Sequence, residues 1–133
     1  IYFGGNDMLL TPRQMLAFGE LYLRRGRVKG SDPVTQGRQV VPETWIEQSF
    51  VPRSLSPISG QQYGYGWWMR DLAGHQAYFA WGFGGQYIIV VPDLELVVVT
   101  TSASTVAEDP RTHRRALFDL VEALIIAPVA GAG

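Results

Sequence analysis

Between Tyr63 and Thr101 the chain lays down four short apolar runs in quick succession, and no other feature restricts its fold as tightly. Tyr63-Gly-Tyr65-Gly-Trp67-Trp68-Met69 and Gln76-Ala-Tyr78-Phe79-Ala-Trp81 are aromatic and alternating, with a turn expected at Asp71 to Gly74. Tyr87 to Val91 and Leu94 to Thr101 are β-branched runs separated by Pro92-Asp93, a pair that opens turns. Connections this short cannot carry a crossover, so the runs predict an antiparallel meander.

Helix signals flank the meander. Thr11-Pro12-Arg13-Gln14 combines an N-cap hydroxyl, a proline at the first helical position and a Gln three residues after the cap. A helix is expected from Pro12 to about Arg25, with Met15, Phe18 and Tyr22 on its apolar face, Leu16 and Leu23 beside them, and Gly26 as its stop. Arg27 to Arg38 is breaker-rich and reads as a loop within one domain. A short proline-started helix is expected from Pro42 to near Phe50. Pro52, Pro57 and Gly60 then predict an exposed excursion without regular structure from Val51 to Gln62. Asp109-Pro110 starts a closing helix to about Ile126, its apolar face running through Leu117, Leu120, Val121, Leu124 and Ile125. Ala127 to Gly133 is small and breaker-rich, which fits a frayed end. The fold class is α+β: an antiparallel sheet of about four strands with flanking helices.

At 133 residues with 47% hydrophobic content, the chain suits one domain with a real core. A formal net charge of -1 gives no basic field for phosphate backbones or anionic lipid, so nucleic acid and membrane surfaces are not expected partners. The absence of cysteine excludes disulfides, thiolate nucleophiles and cysteine-based zinc sites. The longest apolar candidate, Tyr87 to Val99, is interrupted by Pro92, Asp93 and Glu95, so no membrane span is expected. Ile1-Tyr2-Phe3-Gly4-Gly5 carries neither an initiator Met nor a signal-peptide pattern, and the chain is expected to be part of something longer.

Catalytic chemistry needs a nucleophile and a base. Lys29 is the only lysine and Gly26 stands three residues before it, so S-x-x-K is absent, and no G-x-S-x-G elbow occurs. His75 falls in a hairpin turn and His113 on the polar side of the last helix, far apart in sequence; structural or solvent roles are expected for both, with no metal site. Glu108-Asp109 belongs to a helix start, Asp93 with Glu95 to a turn, and Glu43 with Glu47 to an exposed helix face, which leaves no facing carboxylate pair. Tyr63, Tyr65, Trp67 and Trp68 suit core and cleft walls, or else an aromatic-lined small-molecule pocket.

Gly82-Phe83-Gly84-Gly85-Gln86 asks for a special explanation. It lacks the Lys-Ser/Thr ending of a phosphate loop and lies between two strands. It is either a bulge or tight bend, or a strand end whose backbone N–H groups face a ligand.

Four segments taken in order carry a resemblance: Thr11-Pro-Arg-Gln-Met-Leu-Ala-Phe-Gly-Glu-Leu-Tyr-Leu, Val41-Pro-Glu-Thr-Trp-Ile, Tyr63-Gly-Tyr-Gly-Trp-Trp, and Phe79-Ala-Trp-Gly-Phe-Gly-Gly-Gln-Tyr-Ile-Ile-Val-Val-Pro-Asp. Together they resemble the last third of the serine β-lactamase-related family, the class C type that includes penicillin-binding proteins, D-Ala-D-Ala carboxypeptidases, esterases and amide hydrolases. The resemblance implies a helical region carrying S-x-x-K and a Tyr-containing motif, and an α/β region supplying a third motif on an edge strand. Residues 1–133 would be the C-terminal α/β portion, with the nucleophile outside it. The third motif is commonly Lys-Thr-Gly or His-x-Gly, and the matching residues are Ala80, Trp81 and Gly82.

Ala80 cannot supply the positive charge or proton of Lys or His, which shifts the expectation from carboxylate-bearing substrates toward esters or small amides. The resemblance places Ala80, Trp81, Gly82 and Gly84 against substrate and makes the Phe83 backbone N–H one of two oxyanion donors. It implies no cofactor or metal. Such proteins are often exported to the periplasm or cell envelope. A sheet lacking its partner region would also self-associate or lose stability. The alternative is a non-catalytic ligand-binding or scaffold domain that keeps the family sheet.

Overall fold

The computed structural model describes residues 8–30, 32–103 and 109–132. The readings made on Ile1 to Gly5, on Glu108 and on Gly133 lie outside the described residues.

Helix α1, Pro12–Leu23, opens with the full capping box: Gln14 N–H donates to the Thr11 hydroxyl, and the Gln14 side chain accepts from the Thr11 N–H at 2.8 Å. It stops two residues before the expected Arg25, because Arg25 and Gly26 both take left-handed φ, 53° and 84°. The loop that follows folds back within the domain, where Arg27 bridges Gln39. Helix α2, Glu43–Ser49, begins one residue later than expected, with Pro42 in extended backbone as its cap.

The sheet has six strands, not four: β1 Ser54–Leu55, β2 Gln62–Tyr63, β3 Trp68–Leu72, β4 His75–Gly82, β5 Gln86–Val91 and β6 Leu96–Thr100, in that order and antiparallel throughout. Two corrections follow. The Val51 to Gln62 excursion is a small hairpin, with Ser54 opposite Tyr63, because the Ser56 hydroxyl accepts from the Ile58 and Ser59 N–H groups and organises its turn. The run from Tyr63 to Met69 is broken, because Gly64 lies against the end of α2, where a Cβ would meet the Ser49 carbonyl oxygen at 2.1 Å. The expected turn at Asp71 to Gly74 narrows to Ala73 and Gly74, φ 53° and 86°, the geometry of a two-residue hairpin.

Helix α3, Pro110–Val121, starts on an Asp109 side chain that accepts from the Thr112 N–H at 3.1 Å. A π turn, Glu122–Ile126, and a last helical turn, Ala127–Ala130, continue it. The frayed end expected from Ala127 is thus helical through Ala130. In the π turn Ala127 N–H reaches back to the Glu122 carbonyl, which takes up the missing N–H and ring bulk of Pro128. The buried stripe is not the expected one: Phe118, Val121 and Ile126 are buried, while Leu120 and Leu124, expected inside, are exposed.

The sheet buries both faces. Phe79, Tyr87, Ile89, Val91 and Val98 meet α3 through Phe118 and Val121, while Ile88 and Val90 meet α1 through Met15 and Tyr22, with Trp67 and Ile46. Gly19 is what lets α1 approach, since a Cβ there would stand 2.5 Å from Val97 Cγ1.

Candidate functional site

The β3–β4 ladder ends at the pair Trp68–Phe79, whereas β4–β5 pairing continues through Ala80–Ile88 and Trp81–Tyr87 to Gly82–Gln86. Over Ala80 to Gly82, strand β4 is therefore bonded on one side only, and no described strand pairs with its other side. Such an edge presents backbone donors and acceptors to an extended ligand. Strand periodicity divides the side chains. Phe79 and Trp81 face α3, and Ala80 packs with Tyr78 into the cluster on the α1 face. A methyl group at position 80 fits that apolar surrounding.

Phe83, Gly84 and Gly85 form the turn between β4 and β5. Phe83 heads it with 80% of its surface exposed, and Gly84 and Gly85 take φ of 75° and 93°, which only glycine adopts freely. The turn is braced from behind. Thr100 Oγ1 donates to the Gly85 carbonyl at 2.9 Å, and Gln86 Nε2 donates to the Ser102 carbonyl. Gly82 lies close to Gln86, whose Cβ would stand 2.9 Å from a Cβ at position 82.

The fold also brings Ser102 to His113, Oγ to Nε2 at 3.2 Å, and both close on Gly85. His113 is half-buried rather than solvated, and no described residue bonds its Nδ1. His75 opens β4 and pairs through Nδ1 with Asp93 at 2.6 Å, tying that strand to the turn after β5.

A cavity of about 130 Å³ lies beside the edge, walled by Trp81, Phe83, Gly84, Tyr87, Pro110 and Arg114. The Arg114 guanidinium stacks over the Trp81 ring at 4.7 Å. Tyr87 is buried here, and that burial holds its phenol above the ordinary tyrosine value, with Arg114 and Arg70 pulling the other way. A larger, more open hollow of about 320 Å³ lies near Leu55, Met69 and Gln76, away from the open edge. Its position near the start of β4 gives it no access to Ala80 to Gly82.

The five residues singled out in the sequence are contiguous here: Ala80, Trp81 and Gly82 on the open edge, Phe83 and Gly84 in the turn. Ser102, His113 and Arg114 were not anticipated. No local signal marks them: of the three arginines near the start of α3 only Arg111 lies in its first turn, Asp109 caps that end, and Arg115 pairs with Asp119 at 4.0 Å. The four aromatics fill walls instead of a pocket of their own: Trp67 is buried, Tyr63 packs on Trp68, and Tyr65 stacks on Trp45.

No curated protein matches the chain. No helix among the described residues is long and apolar enough to cross a membrane. A family model described as Beta-lactamase matches residues 2–122, nearly the whole length, and agrees with the antiparallel sheet flanked by helices. The chain belongs to the β-lactamase family, with its serine hydrolase-type fold and small-molecule substrates.

Proposed function

We propose that this chain is the C-terminal α/β portion of a serine hydrolase that cleaves esters or small amides through an acyl-enzyme. The carrying observation is the one-sided edge from Ala80 to Gly82 running into the Phe83–Gly85 turn. A substrate lying along that edge would have its carbonyl oxygen near the Phe83 N–H. A serine from a helical region outside these residues would attack the carbonyl carbon, the alcohol or amine would leave with a proton, and water would cleave the acyl ester.

One such backbone donor, aimed at charge that develops in the transition state, contributes roughly 3 to 4 kcal/mol. Because the donor is main chain, the exposed Phe83 ring is free to shape the cleft. Trp81 offers an apolar wall, and the absence of S-x-x-K supports a nucleophile from elsewhere.

Labelling with a fluorophosphonate tests this reading. The polypeptide extended to include the preceding helical region is expected to take the label on an S-x-x-K serine, and the 133-residue chain is expected to take none. An extended polypeptide that remains unlabelled, or that contains no S-x-x-K, overturns it.

A further inference from the structure

The hollow of about 320 Å³ beside the start of β4 is floored by side chains that the sheet register sets on one face. Leu55 stands opposite Gln62, Gln62 opposite Met69, and Asp71 opposite Gln76, and directly paired residues share a face. Met69 and Asp71, two apart on β3, share it as well. Met69 also pairs with Tyr78, which packs in the α1 cluster, so the hollow opens on the α1 face. Helix α1 seats chiefly on β5 and β6, and this corner of the sheet stays open.

Gln61, at the end of the β1–β2 turn, lines the hollow, and its Oε1 is buried with no described residue donating to it. Among the described residues no other buried side-chain nitrogen or oxygen lacks a partner. An acceptor left this way works against folding, so a donor that enters the hollow gains what the fold forgoes. Gln76 Nε2 already donates to the Arg70 and Ala77 carbonyls, at 3.3 and 3.2 Å, so its side chain has only an acceptor left to offer. Asp71 accepts from the Gly74 N–H through Oδ1 at 3.0 Å and keeps further acceptor capacity on its carboxylate. Arg70 is the one cation in the lining, but its guanidinium lies over the Phe118 ring at 4.5 Å, on the α3 face. The hollow thus combines one negative charge, acceptors without donors, and an apolar floor of Leu55 and Met69. An ammonium group, with three N–H donors and no acceptor, complements that set.

We propose that this hollow is a binding site for a small primary amine, its ammonium donating to Gln61 Oε1 and Asp71 and its apolar stem lying along Leu55 and Met69. The size agrees, since about 320 Å³ is at the small end of ligand sites. The site stands on the β1–β2 hairpin and the start of β4, and owes nothing to the open edge from Ala80 to Gly82.

The test follows amide NMR shifts of the 133-residue chain at neutral pH with three probes that differ only in the head group: n-butylammonium, n-butanol and butyrate. n-Butylammonium is expected to shift Gly60, Gln61, Asp71 and Gln76 saturably. The alcohol is expected to bind about fivefold more weakly, the most that an ion pair this open to solvent contributes, and butyrate more weakly still. Asp71→Asn keeps an acceptor for the Gly74 N–H and is expected to bring amine and alcohol to parity, while Gln61→Leu is expected to weaken both. An acetylated lysine amide carries the same ammonium and stem on a backbone: binding as tight as that of n-butylammonium assigns the hollow to a lysine side chain and weaker binding to a free amine, the ammonium site being upheld by either. Alcohol or butyrate binding the unaltered chain as tightly as the amine, saturable shifts confined to other residues, or no saturable shift at all overturns the proposal without any variant.

Discussion

Ser102 Oγ and His113 Nε2 meet at 3.2 Å directly behind Gly85, so the turn that carries Phe83 is backed by a contact between the end of β6 and α3. A Cβ at Gly85 would stand 2.8 Å from Ser102 Oγ and 2.9 Å from His113 Nε2, on a residue whose φ of 93° already disfavours any side chain. Gly85→Ala therefore meets strain and collision together. It is expected to lower stability by about 1 to 3 kcal/mol, read as a shift in denaturant midpoint at unchanged slope. Gly37→Ala serves as the control: its φ is 73° but its Cβ would meet nothing within 4 Å, so it should cost less.

The same Ser–His contact invites a nucleophile reading, which the geometry argues against. No described residue orients His113 through Nδ1, and Ser102 is committed to packing on Gly85. Fluorophosphonate should leave Ser102 unmodified in the 133-residue chain, as mass spectrometry of its tryptic peptides would show. Modification lost in Ser102→Ala would establish a second nucleophile in this fold.

Helix α1 depends on Gly19 in a way that helix propensity opposes. Alanine would favour the helix by up to about 1 kcal/mol, but its Cβ would stand 2.5 Å from Val97 Cγ1 and 2.8 Å from Ile88 Cγ2. Overpacking against a strand costs about 1 to 3 kcal/mol, so the collision wins and Gly19→Ala destabilises. In a double-mutant cycle, Val97→Ala should recover part of that loss. Additive effects of the two changes would show that α1 does not seat on β6 through this contact.

Much of this was legible in the sequence. The Thr11 capping box, the Asp109-Pro110 start and the run of alternating and β-branched segments each appear where local chemistry places them. What escaped depends on contacts between distant residues. Gly64 breaks the first long strand because it meets the end of α2, and α3 seats Phe118 and Val121 on the sheet, which leaves Leu120 and Leu124 outward although their spacing reads as buried. At the site, the glycine turn identified itself by composition, whereas Ser102, His113 and Arg114 reach it from elements with no local mark.

Burial raises the Tyr87 phenol, and the Tyr78 phenol as well, which gives the fold an alkaline limit. The folded state holds these protons to higher pH than the unfolded chain does. Stability is therefore intact below the unfolded value of 10.0 and declines as pH rises from there through the folded values. Denaturant midpoints across that range should fall more steeply for the unaltered chain than for Tyr87→Phe. Equal slopes would mean that Tyr87 ionises as freely folded as unfolded.

Phe118 joins the core to the candidate site. Its ring stands edge-on to Phe79 and to Tyr87, each at 5.1 Å, and Arg70 stacks on it at 4.5 Å. Tyr87, one wall of the Arg114 cavity, leans on this ring, so removing it should loosen the cavity as well as the core. Phe118→Ala is expected to cost about 3 to 5 kcal/mol, and Phe118→Leu less, because leucine keeps most of the volume while losing the aromatic contacts. Chemical unfolding gives the two losses, and near-ultraviolet circular dichroism reads the aromatic packing. A Phe118→Leu chain that keeps the near-ultraviolet signal of the unaltered chain would show that Tyr87 holds its place without leaning on this ring.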